Sequence, residues 1–312
     1  MRLISKAVCR VLLALSVLLI GQTVMAATQY RFVTVDGNRL FYREAGDPQN
    51  PSILLLHGFP SSSHMFRDLI PELEQNFHVI APDYLGMGNS DAPSGSSSLT
   101  FDAVAHSVEG LMERLNVNST IIYMQDFGGP VGMRLATWHP GWVNGLVIQN
   151  SPVSLDGWNP ERLKAIESSA GPETPEKRAS AEARVVMATD VYLYQKGAHN
   201  PDRLSPDAWS NDAYALNDPA KRRAMTDLQL DITSNLKLYP GWQVYLKSAQ
   251  PKSLVVWGDN DPIFLPQGAD AVKEFVPLAQ VHHYNTGHFA LEEEHQDIGE
   301  RIKEFFAHPT QR

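Results

Sequence analysis

The order of apolar runs predicts an α/β protein: a mainly parallel sheet flanked by helices, with a helical insertion late in the chain. Three observations carry that reading. Short apolar runs alternate with helical stretches up to about residue 150, the pattern of βα units in a parallel sheet. Ser52–Leu56 is apolar almost throughout, as a strand covered on both faces should be. From residue 153 to about 245, helical stretches and prolines replace β-branched runs, and strands then return.

The elements follow in order. Residues 31–35 and 39–44 flank Asp36-Gly37-Asn38, a hairpin turn signal. Ser52–Leu56 is the next strand, and a helix is expected over about 65–75. Residues 77–81 form a strand that runs into the loop 82–90. Thr100 is placed to cap a helix running to about 115. Thr120–Gln125 is a strand, 129–138 a helix stopped by His139-Pro140, and 143–148 another strand. After the insertion come a strand at 253–257, a helix near 269–275, a strand at Gln280–Tyr284 and a final helix over Leu291–Phe306. The Ser-rich stretch 94–98 reads as a loop.

The first 26 residues are a separate object. Arg2, Lys6 and Arg10 precede an apolar stretch over 11–20, and Val24-Met25-Ala26 offers a small-residue cleavage site. This is the pattern of a secretory signal peptide. The apolar stretch is short of the roughly 20 residues that a spanning helix needs. The expectation is export to a periplasm or the cell exterior, with no membrane association after cleavage. The only cysteine, Cys9, lies within this segment, so the mature chain would have no disulfide and no thiolate nucleophile. The formal net charge of -9 argues against nucleic acid and anionic membranes as partners.

Chemistry concentrates at three strand ends. Asp126 follows the apolar run Ile121-Ile122-Tyr123-Met124-Gln125 and precedes Phe127-Gly128-Gly129-Pro130. A strand, a tight turn and a helix start form a nucleophile elbow, and here the elbow carries a carboxylate where serine is usual. A carboxylate nucleophile points to attack on saturated carbon, with an alkyl ester of the enzyme as intermediate. An acid at a helix N-terminus is also favoured by the macrodipole alone; the Gly128-Gly129 pair adds the close packing an elbow requires. Asp261 lies past the strand at 253–257, with Asp259 a competing acid two residues away. His288 follows the last strand. The order nucleophile, acid, histidine is that of an elbow-type triad. In this set Asp126 is the nucleophile, His288 the base and Asp261 the orienting acid. His57-Gly58-Phe59-Pro60 reads as an oxyanion loop, with the backbone N–H groups of Phe59 and Phe127 as donors. Its X–Pro bond is a candidate cis peptide, and His57 reads as structural. Gly86-Met87-Gly88 lacks the full dinucleotide fingerprint. The remaining histidines show no metal-ligand spacing, so neither cofactor nor metal is expected.

From about Tyr30 to Phe306 the chain resembles the α/β-hydrolase fold enzymes of the epoxide hydrolase and haloalkane dehalogenase group. The resemblance rests on His57–Pro60, Asp83–Ser90, Gln125–Gly129, Trp257–Asp261 and Gly287-His288. It implies an eight-stranded sheet and a helical cap, dividing the chain into a signal peptide (1–26), a first core part (27–152), a cap (153–245) and a second core part (246–312). It also implies that Asp126 forms a covalent ester which His288, oriented by Asp261, hydrolyses through water. The substrate expected is a small apolar electrophile, and an epoxide is the first reading.

Epoxide hydrolases of this group use cap tyrosines as proton donors. Tyr192 and Tyr194 are the first candidates for that role, and Tyr214, Tyr239 and Tyr245 are candidates without a matching motif. The dehalogenase alternative needs halide donors, which Trp158, Trp209 or Trp242 can supply from the cap, since Phe127 and Phe59 cannot. A haloacid dehalogenase needs arginines for a carboxylate. None neighbours Asp126 in sequence, and Arg134 is a helical turn or two away. The intact triad argues against a ligand-binding homologue without catalysis.

Overall fold

The computed structural model describes residues 27–93, 98–187 and 191–306. The segment 1–26 and most of the 94–98 stretch lie outside the described residues. Eight strands form one sheet in the order β1-β2-β4-β3-β5-β6-β7-β8. They are β1 (Gln29–Val35), β2 (Asn38–Ala45), β3 (Ser52–Leu56), β4 (His78–Pro82), β5 (Thr120–Gln125), β6 (Val143–Gln149), β7 (Ser253–Gly258) and β8 (Gln280–Tyr284). The β1–β2 and β2–β4 pairs are antiparallel, and every pair from β4–β3 to β7–β8 is parallel.

The parallel strands are apolar on both faces because both faces are covered. In β3, Leu54 and Leu56 pack into one core with Ile122, Met124, Leu146 and Ile148. Ile53 and Leu55 pack into the opposite core with Ile121, Tyr123, Val147 and Leu254. Helices α2 (Phe101–Arg114) and α3 (Gly128–Trp138) supply the first layer, and α1 (Leu69–Leu73) and α10 (Leu291–Phe306) the second. Thr100 caps α2 through its hydroxyl, which accepts from the Ala103 N–H at 3.2 Å.

Several boundaries differ from expectation by a residue or two, and one expected helix is replaced. The stretch 65–75 is a 3₁₀ turn at Ser63–Phe66 followed by the short α1, not one helix. Pro71 has no N–H to bond to the preceding turn, so a helix can start only just ahead of it. Strand β4 begins at His78, one residue later than expected. Phe77 is fully buried but lies outside the ladder.

Helices α4 (Pro160–Ser168), α5 (Pro175–Met187), α6 (Val191–Gln195), α7 (Asp207–Ala215) and α8 (Pro219–Ala249) lie between β6 and β7, followed after β7 by α9 (Gln267–Phe275). The 31-residue α8 starts at Pro219, with Asp218 capping Ala220 N–H at 2.8 Å, and ends past residue 245. At 1.5 Å per residue it runs about 46 Å, long enough to carry side chains along the whole mouth of the sheet. The insertion is tied to the core where it begins. Asn159 N–H donates to Ile263 O at 3.0 Å, Leu265 N–H donates to Gly157 O at 2.9 Å, and Trp158 and Phe264 form an antiparallel bridge between them. The first residues of the insertion are thereby fixed to the loop that follows β7.

A close backbone contact holds the start of α3 against β3. A Cβ on Gly128 would lie 2.2 Å from the carbonyl oxygen of Leu56 in β3. Backbone cannot yield as a side chain can, so Gly128→Ala is expected to destabilise the fold by about 2–4 kcal/mol. The urea unfolding midpoint would measure it; an unchanged midpoint would mean that α3 and β3 can separate freely.

Candidate active site

The end of β5 turns sharply into α3. Asp126 occupies that turn with φ 48°, a left-handed conformation that side-chain-bearing residues rarely hold. The turn lifts the carboxylate out of the sheet and aims it at the β3 loop. There Phe59 N–H donates to Asp126 Oδ1 at 2.7 Å, and the backbone of Phe127 also bonds the carboxylate. The Phe59–Pro60 bond is cis. Ser151, just after β6, donates its hydroxyl to the carbonyl of Asp126 at 2.9 Å and fixes the turn from the other side.

The second carboxylate oxygen faces His288. Asp126 Oδ2 lies 3.9 Å from His288 Nε2, too far for a hydrogen bond. His288 Nδ1 lies 2.8 Å from Asp261 Oδ2, an arrangement that places the proton on Nδ1 and leaves Nε2 facing the nucleophile. Asp261 is itself held: Ile263 N–H donates to Oδ1 at 2.7 Å and Asn150 Nδ2 donates to Oδ2 at 2.9 Å. Asn150, with φ 41°, also accepts from Gly258 N–H at 2.9 Å, which locks the end of β6 to the end of β7. Asp259 pairs instead with His283 at 2.6 Å on the surface, so of the two acids Asp261 meets His288. The Gln125 amide sits 3.0 Å from His288 Nε2, a contact that a lone pair on that nitrogen can accept.

Burial pushes the Asp126 carboxyl up, partly offset by His288 and by the N–H groups of Phe59 and Phe127. Burial pulls His288 down, but Asp261 and Asp126 outweigh it, and the net shift is upward from 6.5. His57 stays out of this chemistry. Burial holds its pKa down to about 4, its Nε2 accepts from Tyr84 N–H at 3.2 Å, and its ring stacks on Tyr84.

A largely apolar pocket opens above Asp126. Its apolar wall includes Phe59, Phe127, Ile232, Ile263 and Phe264. Its polar lining comes from Asp126, Ser151, Trp158, Arg162, Gln229, Asn235 and Tyr239. Tyr239 accepts from Trp158 Nε1–H at 2.9 Å, which occupies one lone pair and leaves its own O–H to donate.

The expected cap donors are elsewhere. Tyr194 is buried, donates to Asp212 Oδ2 at 2.7 Å and stacks on Phe289 with ring centroids 4.4 Å apart, away from the pocket wall. The side chain of Tyr192 lies outside the described residues. Of the tryptophans, Trp158 lines the pocket with its N–H engaged, Trp209 packs near Tyr194, and Trp242 lies beneath the guanidinium of Arg134. Arg134 is spent on Asp102 and Asn235, at 2.5 and 2.8 Å. The arginine absent from the neighbourhood of Asp126 in sequence arrives from the insertion as Arg162, on the first turn of α4. Asn150, Arg162 and Gln229 carried no motif. Their roles come from where three separate segments meet.

The model of the alpha/beta hydrolase fold matches residues 51–295. The chain belongs to this family. It is 37% identical over 281 residues to the uncharacterized hydrolase YNR064C of Saccharomyces cerevisiae, covering 87% of this chain and 94% of the yeast protein. It is 26% identical to a haloalkane dehalogenase of Mycolicibacterium paratuberculosis, covering 85% of this chain and 86% of that protein. It is 24% identical to epoxide hydrolase 3 of Mus musculus, covering 85% of this chain and 73% of that one. These relatives place it among the hydrolases of the haloalkane dehalogenase and epoxide hydrolase group.

Asp212 supplies a test of how the insertion sits on the core. Burial raises its pKa from 3.8 to about 7, against the hydrogen bonds from Tyr194 and Ser61. The fold holds a proton there that the unfolded chain releases, so stability declines as pH rises from about 4 to about 7 and then levels off. Asp212→Asn keeps an acceptor for Tyr194 without the charge. It should melt above the wild type at pH 8 and lose that advantage at pH 4; a lower melting temperature at both would refute the assignment.

Proposed function

We propose that the chain is an epoxide hydrolase working through an ester on Asp126. The observation that carries this reading is the pairing, across one pocket, of the Asp126–His288–Asp261 set with a tyrosine hydroxyl held to donate. Asp126 Oδ2, the oxygen not bound by Phe59, attacks an oxirane carbon and the C–O bond breaks. The alkoxide takes the proton of Tyr239, which recovers it from solvent. Oδ1 becomes the ester carbonyl oxygen. His288 Nε2 then removes a proton from water as that water attacks the carbonyl carbon. The resulting oxyanion lies where the Phe59 and Phe127 N–H groups already point. On collapse the leaving diol oxygen takes the proton from His288, and the carboxyl that forms releases the other proton of the water to solvent, which restores the carboxylate and balances the proton Tyr239 took up.

The 3.9 Å gap between Asp126 and His288 favours this sequence. A base that activated the nucleophile would touch it, whereas a base that activates water needs room for one. A dehalogenase remains the second reading, favoured by one feature. The Asn235 oxygen is held by Arg134, which leaves its amide N–H groups for a halide.

Incubation with terminal and styrene-type epoxides, haloalkanes and haloacids, following diol and halide release, separates the two. Asp126→Ala should lose turnover by several orders of magnitude with an unchanged melting curve; retained activity would refute the mechanism. His288→Gln should accumulate an alkyl-enzyme, visible as added intact mass equal to the whole epoxide or to the substrate less halide. Tyr239→Phe should slow ester formation on epoxides far more than on haloalkanes.

The upward shift of His288 sets the pH dependence. Only the neutral imidazole accepts a proton, so ester hydrolysis should fall as the pH is lowered and His288 protonates; in the ester the charge on Asp126 no longer raises the imidazole, but Asp261 still does. Ester formation does not need that base, so the alkyl-enzyme should build up on the acid side in single-turnover experiments. Hydrolysis that stays flat down to pH 5 would contradict the role given to His288.

A further inference from the structure

The pocket presents donors almost everywhere except at the nucleophile. Gln229 and Asn235 are both buried on α8, and each has its side-chain oxygen taken by an arginine outside the pocket. Arg184 Nε donates to Gln229 Oε1 at 3.3 Å, and Arg134 Nη1 donates to Asn235 Oδ1 at 2.8 Å. An amide whose oxygen is held in this way has only N–H groups left to offer. Tyr239 is likewise turned into a donor by Trp158. The fourth donor is Arg162. Its Nε is buried with no hydrogen-bond partner, and no carboxylate lies within ion-pair distance of it among the described residues. The residue as a whole is half-buried, so the cation keeps some contact with water, but its Nε is left with nothing to donate to. Its place on the first turn of α4 adds the repulsion of a helix N-terminus.

The donors are also arranged in a line. Gln229, Ile232, Asn235 and Tyr239 form one stripe of α8, and Gln229 and Tyr239 are roughly 15 Å apart along its axis. Tyr239 is at the end that senses Asp126. Arg162 interacts electrostatically with Asp126 on one side and with Arg184, the partner of Gln229, on the other. Arg162 is therefore within electrostatic reach both of the reacting group and of the Gln229 end of the stripe.

We propose that Arg162, with Gln229, binds a carboxylate carried by the substrate several bonds away from the carbon that Asp126 attacks. This rests on the reading of Asp126 as nucleophile. It replaces a purely apolar substrate with an amphipathic one: an oxirane on a short or medium aliphatic chain that ends in a carboxylate. The apolar wall of Ile232, Ile263 and Phe264 takes the chain, and Tyr239 takes the opening oxygen.

The test separates binding from chemistry. In Asp126→Asn, which cannot form the ester, octanoate and octanamide are titrated by calorimetry. Octanoate should bind roughly tenfold or more tightly than octanamide, the difference expected of a charge-assisted contact to a half-buried arginine. Adding Arg162→Gln should remove that preference and leave the affinity for octanamide unchanged. Arg162→Lys, which keeps the charge, should retain part of it. Should the Arg162 variants melt early, Gln229→Leu gives an independent reduction of the preference. Equal affinities for acid and amide, no binding of either, or a preference that survives Arg162→Gln would each overturn the proposal. The wild type is then assayed on an ω-epoxy carboxylate and its primary amide. Turnover of both at equal kcat/KM would leave the epoxide hydrolase reading standing and this inference refuted. A carboxylate preference in binding without opening of any oxirane would do the reverse.

Discussion

The structure is organised around one awkward requirement: a carboxylate, out of water, on a backbone turn that resists holding it. A left-handed residue with a side chain carries about 1–3 kcal/mol of strain, and burial adds a desolvation penalty to the Asp126 charge. Each neighbouring feature offsets part of that. The approach of Gly128 to β3 anchors the helix behind the turn. Ser151 holds the carbonyl of Asp126, Phe59 N–H satisfies Oδ1, and the backbone of Phe127 also bonds the carboxylate. Oδ2 faces His288 without touching it, which suits the nucleophilic role proposed for it.

The same logic explains why the core was largely legible in the sequence. Parallel strands covered on both faces leave continuous apolar runs, and β3, β5 and β7 were found with at most a one-residue difference at their ends. Asp126, Asp261 and His288 were legible because each lies within a few residues of a strand's C-terminal end, and strand order brings those ends together. The choice between Asp259 and Asp261 was not a matter of pattern. It is decided by Asn150 and Ile263, which reach Asp261 from either side.

The insertion was legible only in outline. Its helices carry no strand register to fix which face looks inward, so a tyrosine in a plausible motif and one without a motif were indistinguishable. Tyr194 turned to Asp212, and Tyr239 turned to Trp158. Arg162 left one local trace, a cation in the first turn of a helix, where the backbone N–H groups disfavour it. That trace gains meaning only when the pocket shows no counter-ion for it among the described residues.

Charge balance links the two halves of the protein. In the resting site two acids, Asp126 and Asp261, lie on the core, and Arg162 has no carboxylate within ion-pair distance among the described residues. An anionic substrate that pairs with Arg162 meets repulsion from Asp126 as it arrives, softened by distance and by the intervening chain. In the proposed mechanism ester formation removes the charge on Asp126 and relieves that repulsion, while the proposed pairing with Arg162 persists. The interaction is then stronger along the path to the ester than in the first complex, and only a difference of that kind accelerates a chemical step. The apolar wall sharpens it, because charges separated by hydrocarbon are poorly screened. Placing the cation on the insertion and the nucleophile on the core thus makes catalysis depend on how the two are held together. That junction is the short pairing of residues 157–159 with 263–265, two residues beyond Asp261.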